Sequence, residues 1–143
     1  LLNAYKSVKA PIVGITKIAL EEVEKYGICS GEFLDNNIMK INKVIEKPTI
    51  EYVKNNMLLK KGKKKDCYKI FGNYIITSEI FEDLKKNLNS TNGEAQLTIA
   101  LDNISKKNEL YGIEIDGNSL DFGNIKSYSV NFDKYNESKN IEK

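Results

Sequence analysis

Short β-branched runs alternate with helical stripes along this chain, and this alternation constrains its fold more than any other feature. The run "APIVGI" at 10–15 and the run "YKIFGNYIIT" at 68–77 are typical of buried strands. Apolar residues at the spacing i, i+3, i+4, i+7 predict one helix face: Leu97, Ala100, Leu101 and Ile104. Because strands and helices follow one another, the sequence predicts the α/β class with a mostly parallel or mixed sheet.

The same patterns predict further elements. They are a helix over 1–8, a helix over 18–25 with Gly27 as its C-cap, a helix that Ser78 caps and a strand over 110–115. The segment 26–48 predicts two strands joined by a polar turn, with Met39, Ile41 and Ile45 on one face. Since glycine destabilises a strand, Gly72 predicts a bulge or a close backbone approach.

The charge of the chain is nearly balanced, at +2 over 143 residues, and it has no histidine. The balance gives no overall field for nucleic acid or a membrane, so a partner must be recognised locally. The lack of histidine excludes Ser-His and Cys-His nucleophilic sites and His-based zinc sites. The lysine-rich segment 60–65 could gather phosphates, but we interpret it as a solvated loop.

The two cysteines, Cys29 and Cys67, lie outside any C-x-x-C spacing and favour a reducing compartment over a disulfide framework. We interpret them as small buried residues rather than reactive thiols. No apolar run approaches the roughly twenty residues that span a bilayer, and no basic region precedes an apolar one at the amino terminus. We therefore expect a cytoplasmic protein that binds no membrane and no nucleic acid.

Four short motifs carry the functional prediction, with "FGNYI" between the second and third: "EKYGI" at 24–28, "VIEKP" at 44–48, "GEAQLT" at 93–98 and "DFGN" at 121–124. Their order and spacing resemble the carboxyl-terminal half of sugar nucleotidyltransferases, in particular bacterial-type UTP:glucose-1-phosphate uridylyltransferases. "DFG" is also the metal-binding triplet of protein kinases. None of the other kinase motifs accompanies it, so we set that reading aside.

The resemblance implies that residues 1–143 are the carboxyl-terminal, sugar-phosphate side of a Rossmann-like α/β/α nucleotidyltransferase fold with a mixed sheet. It implies an enzyme, homo-oligomeric at full length, that forms UDP-glucose and pyrophosphate from UTP and glucose 1-phosphate. The family's glycine-rich nucleotide loop is not among these residues, so we expect the fragment alone to be inactive. The alternative is a non-catalytic sugar-phosphate-binding or interaction module on the same half-fold.

The resemblance also implies two catalytic residues, Lys47 and Asp121. A sugar phosphate is already ionised at neutral pH, so its attack on the α-phosphate of UTP needs no general base. The barrier lies in bringing two anions together, which a fixed cation and a metal ion can lower. Lys47 is suited to the role of the positive charge beside the phosphates, and Asp121 is suited to the role of a Mg²⁺ ligand. Both must face one cavity for this reading to hold.

Four residues are candidates for binding the substrate beside Lys47. Glu46 is an acceptor for sugar hydroxyls at the end of a strand, where α/β sites form. Gly27 and Gly72 would let backbone amides approach the sugar, although a helix cap and a bulge explain them equally. Glu94 could face the sugar, or it could simply be favoured by the dipole of the helix that it begins.

Overall fold

The computed structural model describes residues 1–35, 37–61, 64–88, 97–107 and 110–115, and residues 128, 131, 132, 135 and 136. Its strands are β1 (Ile12–Ile18), β2 (Gly27–Phe33), β3 (Ile38–Glu46), β4 (Leu59–Lys61), β5 (Lys64–Ile75) and β6 (Leu110–Glu114). Its helices are α1 (Leu2–Val8), a 3₁₀ helix (Leu20–Lys25), α2 (Ile50–Asn56), α3 (Ser78–Leu88) and α4 (Leu97–Ser105).

The strands form one mixed sheet in the order β1-β6-β3-β2-β5-β4. β1 also pairs with β5, so the pairings run in a ring from β1 through β6, β3, β2 and β5 back to β1. The predicted α/β class with a mixed sheet is confirmed. The mostly parallel alternative is wrong, because among the described strands only β1 and β6 run parallel.

Helices cover both faces of the sheet, each over its own apolar core. α3 and α4 bury Ile80, Leu101 and Ile104 against one face. The 3₁₀ helix and α2 bury Val23 and Val53 against the other face. Neighbouring residues of a strand therefore enter opposite cores, as the pleat requires.

A bulge in β3 changes which of its residues share a face. Ser30 of β2 pairs with Lys43 and Gly31 pairs with Ile41, so Asn42 is the extra residue. A bulge shifts the alternation by one residue. Met39 and Ile41 therefore share their core with Val44, whereas Ile45 packs in the other core, and the predicted common face of Met39, Ile41 and Ile45 is wrong at Ile45.

Gly72 lies in a bulge, which is one of the two predictions made for it. Val13 pairs with Tyr74 and Ile15 pairs with Ile70, so three residues of β5 oppose one residue of β1. Gly72 has a φ of 42°, in the left-handed region where an L-residue is strained.

The lysine-rich segment is not simply a loop. Leu59 to Lys61 pair with Lys64 to Asp66 in a β4–β5 hairpin, which places Lys60 opposite Lys65. Like charges directly opposite each other repel, so these lysines do not stabilise the hairpin.

Cys29 and Cys67 are both free thiols and both buried, as predicted. Burial raises the pKa of Cys29 to about 12 and also raises the pKa of Cys67. Both thiols are therefore protonated and unreactive at neutral pH. Among the helices that the structure describes, none is long and apolar enough to span a bilayer.

Candidate functional site

The candidate site is built on the pair formed by Gly27, the first residue of β2, and Glu46, the last residue of β3. A Cβ atom placed on Gly27 would lie 3.1 Å from Oε2 of Glu46. The carboxylate therefore folds back over the bare Cα of Gly27. Glu46 itself is exposed, so its carboxylate is accessible as a hydrogen-bond acceptor.

Thr98, in the first turn of α4, also lies close to Gly27. Its Cγ2 methyl would lie 2.9 Å from a Cβ atom at Gly27, closer than two carbon atoms can come. α4 is held over β3 by Asp102, whose Oδ1 accepts the Val44 N–H at 2.9 Å. A Cβ atom at position 27 would therefore crowd both Thr98 and Glu46.

The predicted role of Gly27 as a helix C-cap is wrong. The 3₁₀ helix ends at Lys25, and its cap residue is Tyr26, which has an extended backbone with a φ of −136°. Gly27 already belongs to β2. The sequence pattern of a helix followed by glycine indicated a cap, whereas the tertiary contacts of Glu46 and Thr98 are what exclude a side chain there.

Lys47 leaves the strand in a left-handed conformation, with a φ of 46°. Its N–H donates to the carbonyl oxygen of Tyr26 at 3.0 Å, which continues the β2–β3 pairing one step past Glu46. Strict alternation would send Glu46 and Lys47 to opposite faces. Because the extended backbone stops at Glu46, that alternation no longer separates the two side chains.

The chain after Lys47 is fixed at once by α2. Pro48 is buried, and Thr49 is the N-cap residue, with its Oγ1 accepting the Tyr52 N–H at 3.3 Å. Side-chain caps of this kind satisfy backbone donors that the first helical turn leaves unpaired. The Glu46–Lys47 step is therefore held by β2 on one side and by α2 on the other.

The part of β5 that follows the Gly72 bulge also comes close to Glu46. Burial raises the pKa of Tyr74, and the negative charge of Glu46 raises it further. Tyr74 remains 40% exposed. Gly72 is exposed, and a Cβ atom there would meet nothing within 4 Å; its approach to a sugar stays a prediction.

Two predicted site residues, Glu94 and Asp121, lie outside the described residues. The prediction that Lys47 and Asp121 face one cavity is therefore untested. Within the part of the chain that the structure describes, no three acidic, histidine or cysteine side chains lie close enough together to hold a metal ion.

Sequence reasoning missed Thr98 and Tyr74 as neighbours of Gly27 and Glu46. Each belongs to a motif that was recognised, Thr98 to "GEAQLT" and Tyr74 to "FGNYI". The order of the motifs was therefore the signal that could have found them. Their distances to Gly27 and Glu46 depend on the packing of α4 and β5, which no local pattern contains.

No protein-family model matches the chain. It is 27% identical over 128 residues to a UTP–glucose-1-phosphate uridylyltransferase of Pseudomonas aeruginosa, which covers 90% of this chain and 42% of that protein. It also superposes on the crystal structure of an apo UDP-glucose pyrophosphorylase with a TM-score of 0.78 and 29% identity, over 96% of this chain and 46% of the other.

A UDP-glucose pyrophosphorylase in complex with UDP-glucose matches with a TM-score of 0.76 and 29% identity, over 95% of this chain and 47% of that one. The chain thus spans less than half the length of the proteins it matches. Those proteins are nucleotidyltransferases, as the order of the motifs predicts. Over about nine-tenths of its length, this chain is similar to UTP–glucose-1-phosphate uridylyltransferases, and the resemblance read from its sequence is confirmed.

Proposed function

We propose that these residues form the carboxyl-terminal, sugar-phosphate side of a UTP:glucose-1-phosphate uridylyltransferase, within a Rossmann-like α/β/α nucleotidyltransferase fold. The observation that carries the proposal is the exposed Glu46 carboxylate folded over the bare Cα of Gly27. The similarity to a pyrophosphorylase that was solved with UDP-glucose supports it.

Glucose is recognised in this proposal by acceptors and by bare backbone. The Glu46 carboxylate accepts hydrogen bonds from sugar hydroxyls. Hydrogen bonds to a charged acceptor are stronger than hydrogen bonds to a neutral one. Gly72 presents exposed backbone without a Cβ atom, so a sugar ring can come close to its amide. Gly27 contributes to sugar binding by leaving room for the Glu46 carboxylate beside its Cα. We propose the same role for Glu94, on its place in the motif "GEAQLT" alone.

The reaction transfers a uridylyl group between two anions. An oxygen of glucose 1-phosphate attacks the α-phosphorus of UTP, and the bond from that phosphorus to the β-phosphate bridging oxygen breaks. UDP-glucose and pyrophosphate leave, and no proton has to be removed first. Lys47 lowers the barrier by holding positive charge against the sugar phosphate as the two anions meet.

Asp121 would hold a Mg²⁺ ion. One carboxylate is enough for such a site, because Mg²⁺ in proteins is commonly bound through one or two carboxylates together with substrate phosphate oxygens. When bound, the ion supplies positive charge against the phosphate oxygens of UTP.

The proposal is tested by measuring pyrophosphate release from UTP and glucose 1-phosphate by the full-length protein. We expect turnover in the wild type and a severe loss in Glu46→Gln, which keeps the size but removes the charge. Glu82→Gln, on an exposed position of α3, is the matched control and should keep wild-type rates. Binding of UDP-glucose without any turnover would favour the non-catalytic sugar-phosphate module instead.

We also expect residues 1–143, expressed alone, to release no pyrophosphate, because the glycine-rich loop of the family is not among them. Robust turnover by this segment would contradict the role given to that loop. A cytoplasmic, homo-oligomeric enzyme completes the proposal. The free thiols of Cys29 and Cys67 agree with a reducing compartment.

A further inference from the structure

Lys69 is a buried lysine in the middle of β5, with only 7% of its surface exposed. It pairs with Thr16 of β1 on one side and with Ile28 of β2 on the other. Its neighbours Tyr68 and Ile70 pack into the core under α3 and α4, so the pleat directs Lys69 to the opposite face. A lysine is rarely this buried unless its charge is compensated.

The ammonium of Lys69 lies over the ring of Tyr26, with Nζ 3.9 Å from the ring centroid. At this distance the negative face of the ring attracts the cation, and the attraction is strongest where water is excluded. Tyr26 packs against the second core, on the side of the sheet away from α4. Lys69 and Tyr26 therefore meet behind the candidate sugar site rather than in it.

Tyr26 connects this contact to the site through the backbone. Its carbonyl oxygen accepts the Lys47 N–H at 3.0 Å. The next residue, Gly27, pairs with Glu46 and lies under its carboxylate. A change in the position of Tyr26 therefore moves the backbone of both Lys47 and Gly27.

We propose that Lys69 is a positioning residue for the sugar-phosphate site: its buried ammonium fixes the Tyr26 ring, and the Tyr26 carbonyl in turn holds Lys47 in its left-handed conformation. The structural part of this proposal depends only on these contacts. Its consequence for substrate binding rests on the proposed function. In this proposal Lys69 touches no substrate and acts through the Tyr26 ring.

Amide hydrogen exchange tests the structural part without reference to activity. In Lys69→Met, a change that keeps length and removes the charge, we expect the Lys47 amide of the full-length protein to exchange at least about tenfold faster than in the wild type. Leu101 and Ile104 in α4 should be unchanged. Lys17→Met is the matched control, since Lys17 pairs across the strands with Tyr68, on the face of the sheet opposite Lys69, and its ammonium lies 2.8 Å from the Asp66 carboxylate.

Steady-state kinetics test the consequence. We expect Lys69→Met to raise the KM for glucose 1-phosphate roughly threefold to tenfold with kcat within twofold, and Lys69→Arg, which keeps a cation, to restore it. Tyr26→Leu should have the same effect and Tyr26→Phe, which keeps the ring, should not. The double variant Lys69→Met/Tyr26→Leu should be no worse than either single one, because the two residues act as a unit.

The outcomes separate the two proposals. Absence of turnover and of UDP-glucose binding in the wild type would overturn the proposed function while leaving the exchange result to decide the role of Lys69. Unchanged exchange at Lys47 in Lys69→Met would overturn the positioning role, and so would an unchanged KM in an active enzyme. If Lys69→Met does not fold, the pair Tyr26→Leu and Tyr26→Phe decides between the same outcomes.

Discussion

Two lysines with left-handed backbone conformations end two different elements, Lys9 after α1 with a φ of 49° and Lys47 after β3 with a φ of 46°. Lys9 is the C-cap of α1, and its N–H donates to the Tyr5 carbonyl oxygen as in many helix ends. Lys47 follows a strand, and its N–H donates across the sheet to Tyr26. The dihedral angle is nearly the same, but the reason for it differs.

A helix end explains the conformation of Lys9 fully, and glycine would serve there at least as well. A strand end imposes no left-handed residue, so the strain at Lys47, about 1–2 kcal/mol for an L-residue, is held by the Tyr26 bond and by the start of α2. Strain that the surroundings maintain at one residue is characteristic of functional sites. The contrast agrees with the proposal that the side chain of Lys47 binds the sugar phosphate.

The largest effect is expected from replacing each lysine by glycine. Lys47→Gly removes the cation from the proposed phosphate site, and kcat/KM of the full-length protein should fall by about 10²–10³-fold. Lys9→Gly should leave kcat/KM within twofold. Urea unfolding should find both variants within about 1 kcal/mol of the wild type, because the relief of strain offsets the entropy of glycine. Equal activity in the two variants would remove the distinction between the lysines.

The second effect concerns Gly27, under the Glu46 carboxylate. Gly27→Ala would force its Cβ atom against Thr98 and Glu46. Stability should fall by about 1–3 kcal/mol, and the KM for glucose 1-phosphate should rise about tenfold as Glu46 is displaced. Adding Thr98→Ser removes the Cγ2 methyl and should recover part of both losses.

Gly72→Ala is the matched glycine control. Its Cβ atom would meet nothing within 4 Å, so only the positive φ opposes the change. We expect a loss of about 1 kcal/mol in the free energy of unfolding. A smaller loss in Gly27→Ala than in Gly72→Ala would contradict the crowding described around Gly27.

A smaller effect is expected from Thr49, which caps α2 directly after Lys47 and Pro48. Thr49→Ala removes the acceptor of the Tyr52 N–H and should destabilise the protein by about 1 kcal/mol in chemical unfolding. Thr49→Ser keeps the acceptor and should be close to the wild type. If the Tyr26 bond is sufficient to hold Lys47, kcat/KM should stay within twofold in both variants. A severe loss in Thr49→Ala would show that the cap of α2 is also required.

The smallest effect is a change in the titration of Tyr74. Burial and then the charge of Glu46 raise its pKa above the ordinary value of 10.0, so Glu46→Gln should lower the Tyr74 pKa but leave it above 10.0. NMR detection of the tyrosine ring carbons would measure it. Because folding raises the pKa of Tyr74, its protonated phenol contributes to the stability of the folded protein. This contribution is complete below pH 10.0 and is lost as the pH rises through the pKa of the folded state. Tyr74→Phe should abolish this part of the loss of stability at alkaline pH. An unchanged Tyr74 pKa in Glu46→Gln would contradict the electrostatic interaction between Tyr74 and Glu46.

Local patterns predicted much of the fold. The helix at the amino terminus, the strands over 12–15 and 110–114, the β2–β3 hairpin and the apolar face of α4 all follow from short-range periodicity. The predicted start of a helix at Ile18 is wrong, because β1 continues to Ile18 and the 3₁₀ helix begins at Leu20. The patterns failed at the bulge in β3, where one extra residue shifts the alternation of side chains between the two faces of the sheet. Because Asn42 is an extra residue in β3, Val44 rather than Ile45 lies in the first core. Beside this bulge the backbone of Lys40 comes so close to Gly31 that a Cβ atom would not fit there, a contact between strands that no local pattern contains.

The sequence by itself determined the class of the fold, the end of β3 at Glu46 and the resemblance to sugar nucleotidyltransferases, because each is encoded in residues that are close together or in a fixed order. Only the tertiary structure decided why position 27 is glycine, that Thr98 and Tyr74 lie near Glu46, and that a buried Lys69 lies against Tyr26. These features depend on distances between strands and helices far apart in the chain. Such distances are fixed by packing and not by periodicity.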